Sequence, residues 1–140
     1  MKLSSKGRYA VMALADLAKF DPNEPVSLRD ISLRQGISLD YLEQLFLKLK
    51  KNNIVNSVRG IKGGYILSTE ASNIKISDIF FAVDEKVKTI GCEKHSKKGC
   101  NGKTAKCITH DLWDELEDYI NNFFEKKSLR DLLNQSTNRL

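Results

Sequence analysis

Two amphipathic segments separated by one glycine-centred break, and followed at once by a glycine-rich hairpin pattern, leave this chain few folds to adopt. Ser27 to Asp30 reads as a capping box with Asp in the usual Glu/Gln place, and it opens a short helix through Leu33. Gly36 breaks that helix, and Ser38 caps the next one, which runs from Leu39 to about Lys51. Helix, short turn with glycine, helix is the spacing of a helix-turn-helix. Two apolar runs, Ile54-Val55-Asn56-Ser57-Val58 and Tyr65-Ile66-Leu67, then flank the stretch R-G-I-K-G-G. They predict a β-hairpin with a basic, glycine-rich tip. The expected architecture is therefore mainly α: a winged helix-turn-helix with a small β-hairpin wing.

Helical periodicity extends the frame in both directions. From Ser5 to Phe20 the residues Tyr9, Met12, Ala13, Ala15, Leu17, Ala18 and Phe20 suit a helix packed on one broad face. Lys6 and Arg8 stand in its first turn against the helix dipole, a small penalty unless an anion waits there. In the second helix of the pair, Leu39, Leu42, Leu45, Phe46 and Leu49 share the core face. Its other face presents Asp40, Tyr41, Glu43, Gln44, Lys48 and Lys51, side chains suited to groove edges and phosphates, or simply to water. A short helix follows over about Ile76 to Val83, with Ile79, Phe80 and Phe81 for the core.

Residues 86–106 lose all periodicity and are rich in lysine and glycine. From Ile108 to Phe124 a strong helical pattern returns in Leu112, Trp113, Leu116, Tyr119, Ile120, Phe123 and Phe124, opposite an acidic face. So apolar a stripe outside a complete winged helix points to burial against a twin in a homodimer; packing back on its own domain is the alternative. Ser128 to Asp131 caps a last short helix ending near Leu133, and the tail to Leu140 should fray. The chain divides into a DNA-binding unit over 1–85, a ligand loop over 86–107 and a dimerisation segment over 108–140.

Charge supports this division. Residues 1–62 carry eleven Lys/Arg against six Asp/Glu, whereas residues 63–140 carry twelve of each, so the net charge of +5 lies in the N-terminal part. A basic half suits a polyanion, most plausibly nucleic acid, although a solvated basic face would look similar. Arg59 at the hairpin tip is placed to enter a minor groove. The apolar runs are too short and too interrupted by charge to span a membrane. The opening M-K-L-S-S-K-G-R has no apolar signal core, so a cytoplasmic protein is expected.

Cys92, Cys100, Cys107 and His110 fall within nineteen residues in the pattern C-x7-C-x6-C-x2-H. In a reducing compartment, three cysteines favour metal ligation or redox chemistry over a disulfide. Lys94, Lys97, Lys98, Lys103 and Lys106 lower thiol pKa values and favour thiolates. Three centres remain open: an iron–sulfur cluster, a structural zinc, or metal-free thiols that oxidise. His95 and Glu93 are spare ligands, more simply exposed loop residues. A Cys–His nucleophile pair would need an oriented third group and an oxyanion site, which nothing here supplies, so no enzyme is expected.

Four stretches, L-S-S-K-G-R-Y-A-V, D-I-S-L-R-Q-G-I-S-L-D-Y-L-E-Q-L-F, V-R-G-I-K-G-G-Y and C-I-T-H-D-L-W, resemble the iron–sulfur-cluster regulators within a wider family of bacterial winged-helix repressors. The likeness spans nearly all of residues 1–135, and the C-x2-H-x-L-W segment is its most specific part. It implies a homodimer holding one 2Fe–2S cluster per subunit on Cys92, Cys100, Cys107 and His110. It further implies a double-stranded, pseudo-palindromic DNA operator and repression of the genes that build iron–sulfur clusters. By the same resemblance Glu43 and Gln44 would read base edges, Arg59 would fill the minor groove, and Ser4, Ser5, Lys6 and Tyr41 would hold phosphates. Asp40 stands where a small hydroxyl residue is common, and the ligand intervals are longer than is usual in that branch.

Overall fold

The computed structural model describes residues 3–87 and 108–138. Helix α1, Ser5–Ala18, lies at the centre, in contact with four other helices. Its buried stripe is Gly7, Ala10, Ala13, Leu14 and Leu17, a run of i, i+3, i+4 and i+7 positions. The small side chains let neighbours approach from several sides. Met12 and Phe20, expected inside from the sequence, lie off this stripe and are exposed.

Helix α2, Leu28–Gln35, begins as expected: the Ser27 hydroxyl accepts the Asp30 N–H at 3.1 Å. It runs two residues beyond Leu33 and ends at Gly36, whose φ of 67° is a left-handed conformation that glycine adopts without penalty. Ser38 then caps α3, Leu39–Lys51, by accepting the Tyr41 N–H at 3.2 Å. Leu42, Leu45, Phe46 and Leu49 are buried as expected. Leu39 is not; as the first helical residue it stands 37% exposed beyond the edge of the core.

One charged group fixes the end of α2 against α1. Asp16 is only 2% exposed. Its carboxylate accepts from Arg34 Nε at 3.1 Å, from Arg34 Nη2 at 2.7 Å and from Gln35 Nε2 at 2.7 Å. The Arg34 guanidinium also covers the Phe20 ring at 4.7 Å, which explains why Phe20 is useful at the surface.

Strands β1, Val55–Val58, and β2, Gly64–Leu67, form the antiparallel hairpin in the register Val55–Leu67 to Val58–Gly64. The root of the hairpin is tied to the α2 lead-in, because Val26 and Tyr65 exchange backbone bonds of 3.0 and 2.9 Å. Tyr65 also packs edge-on against Phe46 of α3, with ring centres 5.0 Å apart. The root of the wing is therefore packed on α3.

A 3₁₀ turn, Ala71–Asn73, precedes α4, Ile76–Ala82. Ile76, Ile79 and Phe80 are buried, but Phe81 is 78% exposed, since a two-turn helix can turn only one narrow face inward. Helix α5, His110–Lys126, starts two residues later than the periodicity indicates. Helix α6, Leu129–Asn138, outlasts its expected end near Leu133. Ser128 and Asp131 form a reciprocal box at its start, with bonds of 2.9 and 3.3 Å. Leu129 is fully buried, and its N–H donates to the Ile74 carbonyl at 2.9 Å, so α6 belongs to the same core as α1.

Candidate DNA-binding face and metal-ligand site

Helix α3 presents Asp40, Glu43 and Gln44 to solvent, while Tyr41 is half-buried. The Tyr41 and Ser5 hydroxyls are hydrogen-bonded at 2.9 Å, and Tyr41 meets Tyr9 edge-on at 5.8 Å. These contacts set the first turn of α1 beside α3. Ser4, Ser5 and Lys6, thirty-five or more positions away in the chain, thus join Tyr41 and Lys48 on one surface. Arg59, just past β1, is exposed at the wing, where the Gly63 N–H closes a turn on the Gly60 carbonyl at 3.0 Å.

The anion at the start of α1 is supplied by the protein itself. Ser4 Oγ lies 2.8 Å from both carboxylate oxygens of Glu85, and the Gly7 N–H donates to Oε1 at 3.3 Å. Glu85 is buried, and a carboxylate here satisfies an orphan helix donor and complements the dipole. The fit requires Gly7: a Cβ there would lie 2.7 Å from Glu85 Cγ and 3.0 Å from the Phe80 ring. The neighbouring Asp84 takes the two cations. Its carbonyl accepts from Lys6 Nζ at 3.3 Å, and its carboxylate lies 3.3 Å from Lys48 Nζ.

Sequence reasoning missed Asp84 and Glu85. The available signal was the first turn of α1, which holds Lys6 and Arg8 and no acidic residue. That imbalance announces a missing anion but not its address. The Ser4 hydroxyl is directed at Glu85, whereas Asp40, Glu43, Gln44 and Arg59 are exposed.

Of the proposed ligand set, Cys92, Cys100 and Cys107 lie outside the described residues. His110 is described and is only 3% exposed at the first position of α5. Its Nε2 lies 3.2 Å from Asp114 Oδ2, one helical turn further on. Trp113 Nε1 donates to Thr109 Oγ1 at 3.2 Å, so this end of the helix is held by side chains as well as backbone. A buried imidazole beside a carboxylate is the arrangement in which a metal-ligating histidine has its ring orientation and tautomer set.

Residues 3–135 match the Rrf2 family, described as iron-dependent transcriptional regulators. The chain is 51% identical over 134 residues to the HTH-type transcriptional regulator IscR of Photorhabdus laumondii, covering 96% of this chain and 80% of that one. To IscR of Escherichia coli K12 it is 50% identical over 134 residues, covering 96% and 81%. Among solved structures it is similar to T. potens IscR, with a TM-score of 0.76 and 36% identity over 97% of this chain and 88% of the other. CymR, the global cysteine regulator of B. subtilis, gives a TM-score of 0.77 at 29% identity over 94% and 95%. These relatives are regulators and not enzymes, in agreement with the absence of a catalytic pattern in the sequence. Family match and winged-helix architecture agree, and the chain belongs to the Rrf2 family of iron-dependent, DNA-binding transcriptional regulators.

Proposed function

We propose that this protein is a cytoplasmic, homodimeric repressor that holds one 2Fe–2S cluster per subunit and controls genes for iron–sulfur cluster assembly. Cys92, Cys100, Cys107 and His110 would hold the cluster. The observation that carries this reading is His110, nearly fully buried at the start of α5 with its Nε2 3.2 Å from Asp114. An imidazole so placed, three residues after Cys107, fits a mixed thiolate–histidine donor set. When bound, the cluster supplies a redox- and supply-sensitive group whose presence stabilises one conformation of the dimer over another.

The protein's own residues account for DNA recognition. Glu43 can accept from cytosine N4, and Gln44 can bracket an adenine edge; both are exposed on α3. Ser4, Ser5, Lys6, Tyr41 and Lys48 would meet the phosphate backbone, with Asp40 adding negative charge at the margin of the reading face. Arg59 would enter the minor groove. A dimer would place two such faces on a pseudo-palindromic double-stranded operator.

Dimerisation through α5 is supported by its surface. Leu112, Leu116, Tyr119 and Phe123 recur at i, i+4, i+7 and i+11 and remain exposed, while Ile120 and Phe124 pack inward. Phe124 meets Phe80 at 4.8 Å, so one edge of the helix covers α4 and the other edge awaits a partner. Beside it an apolar groove of about 380 Å³ is lined by Leu3, Val11, Met12, Phe80 and Phe123. Together they offer a second copy a continuous apolar surface.

Absorption spectra with iron and sulfide analysis, on protein purified without oxygen, test the cofactor. Bands between about 320 and 600 nm with matched iron and sulfide are expected. A colourless zinc protein would reduce the centre to a structural metal, and failure of reconstitution to yield iron or zinc binding would leave a thiol switch. For the wing, Arg59→Ala is expected to weaken operator binding by about 1–3 kcal/mol at fixed salt. Unchanged affinity would remove the wing from the groove.

A further inference from the structure

We propose that Asp84 restrains DNA binding: its carboxylate occupies Lys48 and its backbone carbonyl holds Lys6 alongside, and the negative charge thereby keeps indiscriminate binding to DNA weak. The inference rests on the assignment of α3 and the first turn of α1 to the DNA-contacting surface.

Asp84 sits where its backbone does not call for a charge. Helix α4 ends with the Glu85 N–H donating to the Phe80 carbonyl at 2.8 Å, and Asp84 takes the left-handed position of that cap, at φ 59°. Helix α3 closes in the same way, with the Ile54 N–H on the Leu49 carbonyl at 3.0 Å and Asn53 at φ 60°. Glycine and asparagine are the usual residues at such a position. The second cap uses asparagine; the first uses its charged counterpart, whose carboxylate meets Lys48 while its backbone carbonyl accepts from Lys6.

Stability does not account for that choice. The Lys48 side chain is 44% exposed and that of Asp84 is 72% exposed, so water screens the pair. A fixed negative charge paired with Lys48, on the residue whose carbonyl also holds Lys6, does affect DNA. It cancels part of their field and must be displaced, or be tolerated as a repulsion, when a phosphate arrives. Such a cost falls on every sequence alike. It lowers affinity for operator and for random DNA by the same factor, and the operator, which also engages Glu43, Gln44 and Arg59, still binds at protein concentrations at which random DNA stays unoccupied.

The Asp84→Asn variant isolates the charge, because asparagine is at ease in the left-handed conformation. Binding would be followed by fluorescence anisotropy on a labelled mixed-sequence duplex over a series of salt concentrations, with the full-length protein. One additional phosphate contact steepens the log–log salt slope by about 0.9, which corresponds to about eightfold tighter binding near 0.1 M salt. Asp84→Asn is expected to show both changes. Glu125→Gln, an equal change of charge at an exposed position of α5, should show neither. An unchanged slope and affinity in Asp84→Asn would overturn the inference. So would an equal gain in Glu125→Gln, which would mean bulk charge. Weaker binding would also overturn it, since Asp84 would then be positioning the lysines for DNA. Failure of the parent protein to bind any duplex would instead remove the DNA-contacting surface on which the inference stands.

Discussion

Asp16→Ala is expected to destabilise the protein by about 2–3 kcal/mol, which at this chain length lowers the melting temperature by about 10 °C. Removing one partner of a buried ion pair costs about 3–5 kcal/mol when the other charge is stranded. Here Arg34 is 39% exposed and can regain water, which places the effect below that range. The variant also leaves Gln35 Nε2 without its 2.7 Å acceptor and opens space beneath α1. Because Asp16 ties α1 to the end of α2, the seating of α2 on α1 should loosen and DNA affinity should fall with stability. Calorimetry at fixed protein concentration checks the first, and operator binding well below the melting point checks the second.

The pH dependence of that variant has a definite sign. Burial pushes the Asp16 pKa up, but hydrogen bonds from Arg34 and Gln35, with the charges of Arg34 and Lys19, outweigh it and hold the carboxyl below 3.8. A depressed folded-state pKa means that the unfolded chain binds the proton more readily. The stabilisation is therefore complete above the unfolded value and is lost as pH falls through the lower folded value. The difference in melting temperature between parent and Asp16→Ala should be constant near neutrality and shrink below about pH 3.9. A gap that widens on acidification would contradict the ion pair as the source of the effect.

On the proposed ligand set, Cys107→Ala is expected to abolish the visible chromophore altogether, since no alanine atom can replace a thiolate donor. His110→Cys should behave differently. A fourth thiolate still closes the set, so iron and sulfide should be retained while the reduction potential falls, because thiolate donates more negative charge than imidazole. Spectroscopy and redox titration distinguish the two. An iron chromophore of parental intensity in Cys107→Ala would remove Cys107 from the ligands, and a potential unchanged in His110→Cys would do the same for His110.

Much of the fold was legible because its signals are local. Ser27, Ser38 and Ser128 cap the helices as their spacing indicates, and Gly36 marks the turn. The alternation around R-G-I-K-G-G located the wing. The misjudged residues are those where periodicity gives a face but not its width. Leu39, Phe81, Met12 and Phe20 are apolar at helical spacing, yet each falls outside the narrower face that its element buries and is exposed. Helix α6 was underestimated for the opposite reason. Its polar residues after Leu133 have little pattern, but the backbone bond from Leu129 to Ile74 anchors it to the body of the protein.

By itself, then, the sequence determined the elements, their order and the residue types available for DNA and for a metal, because capping, turn chemistry and periodicity act within a few residues. Only the tertiary structure decided that Asp16 locks α1 to α2, that Glu85 is the anion for α1, and that Asp84 engages Lys6 and Lys48. Each of these pairings joins groups between eighteen and eighty-one positions apart. Charges so distant meet only after the core has closed around α1, and no local rule specifies which carboxylate will arrive.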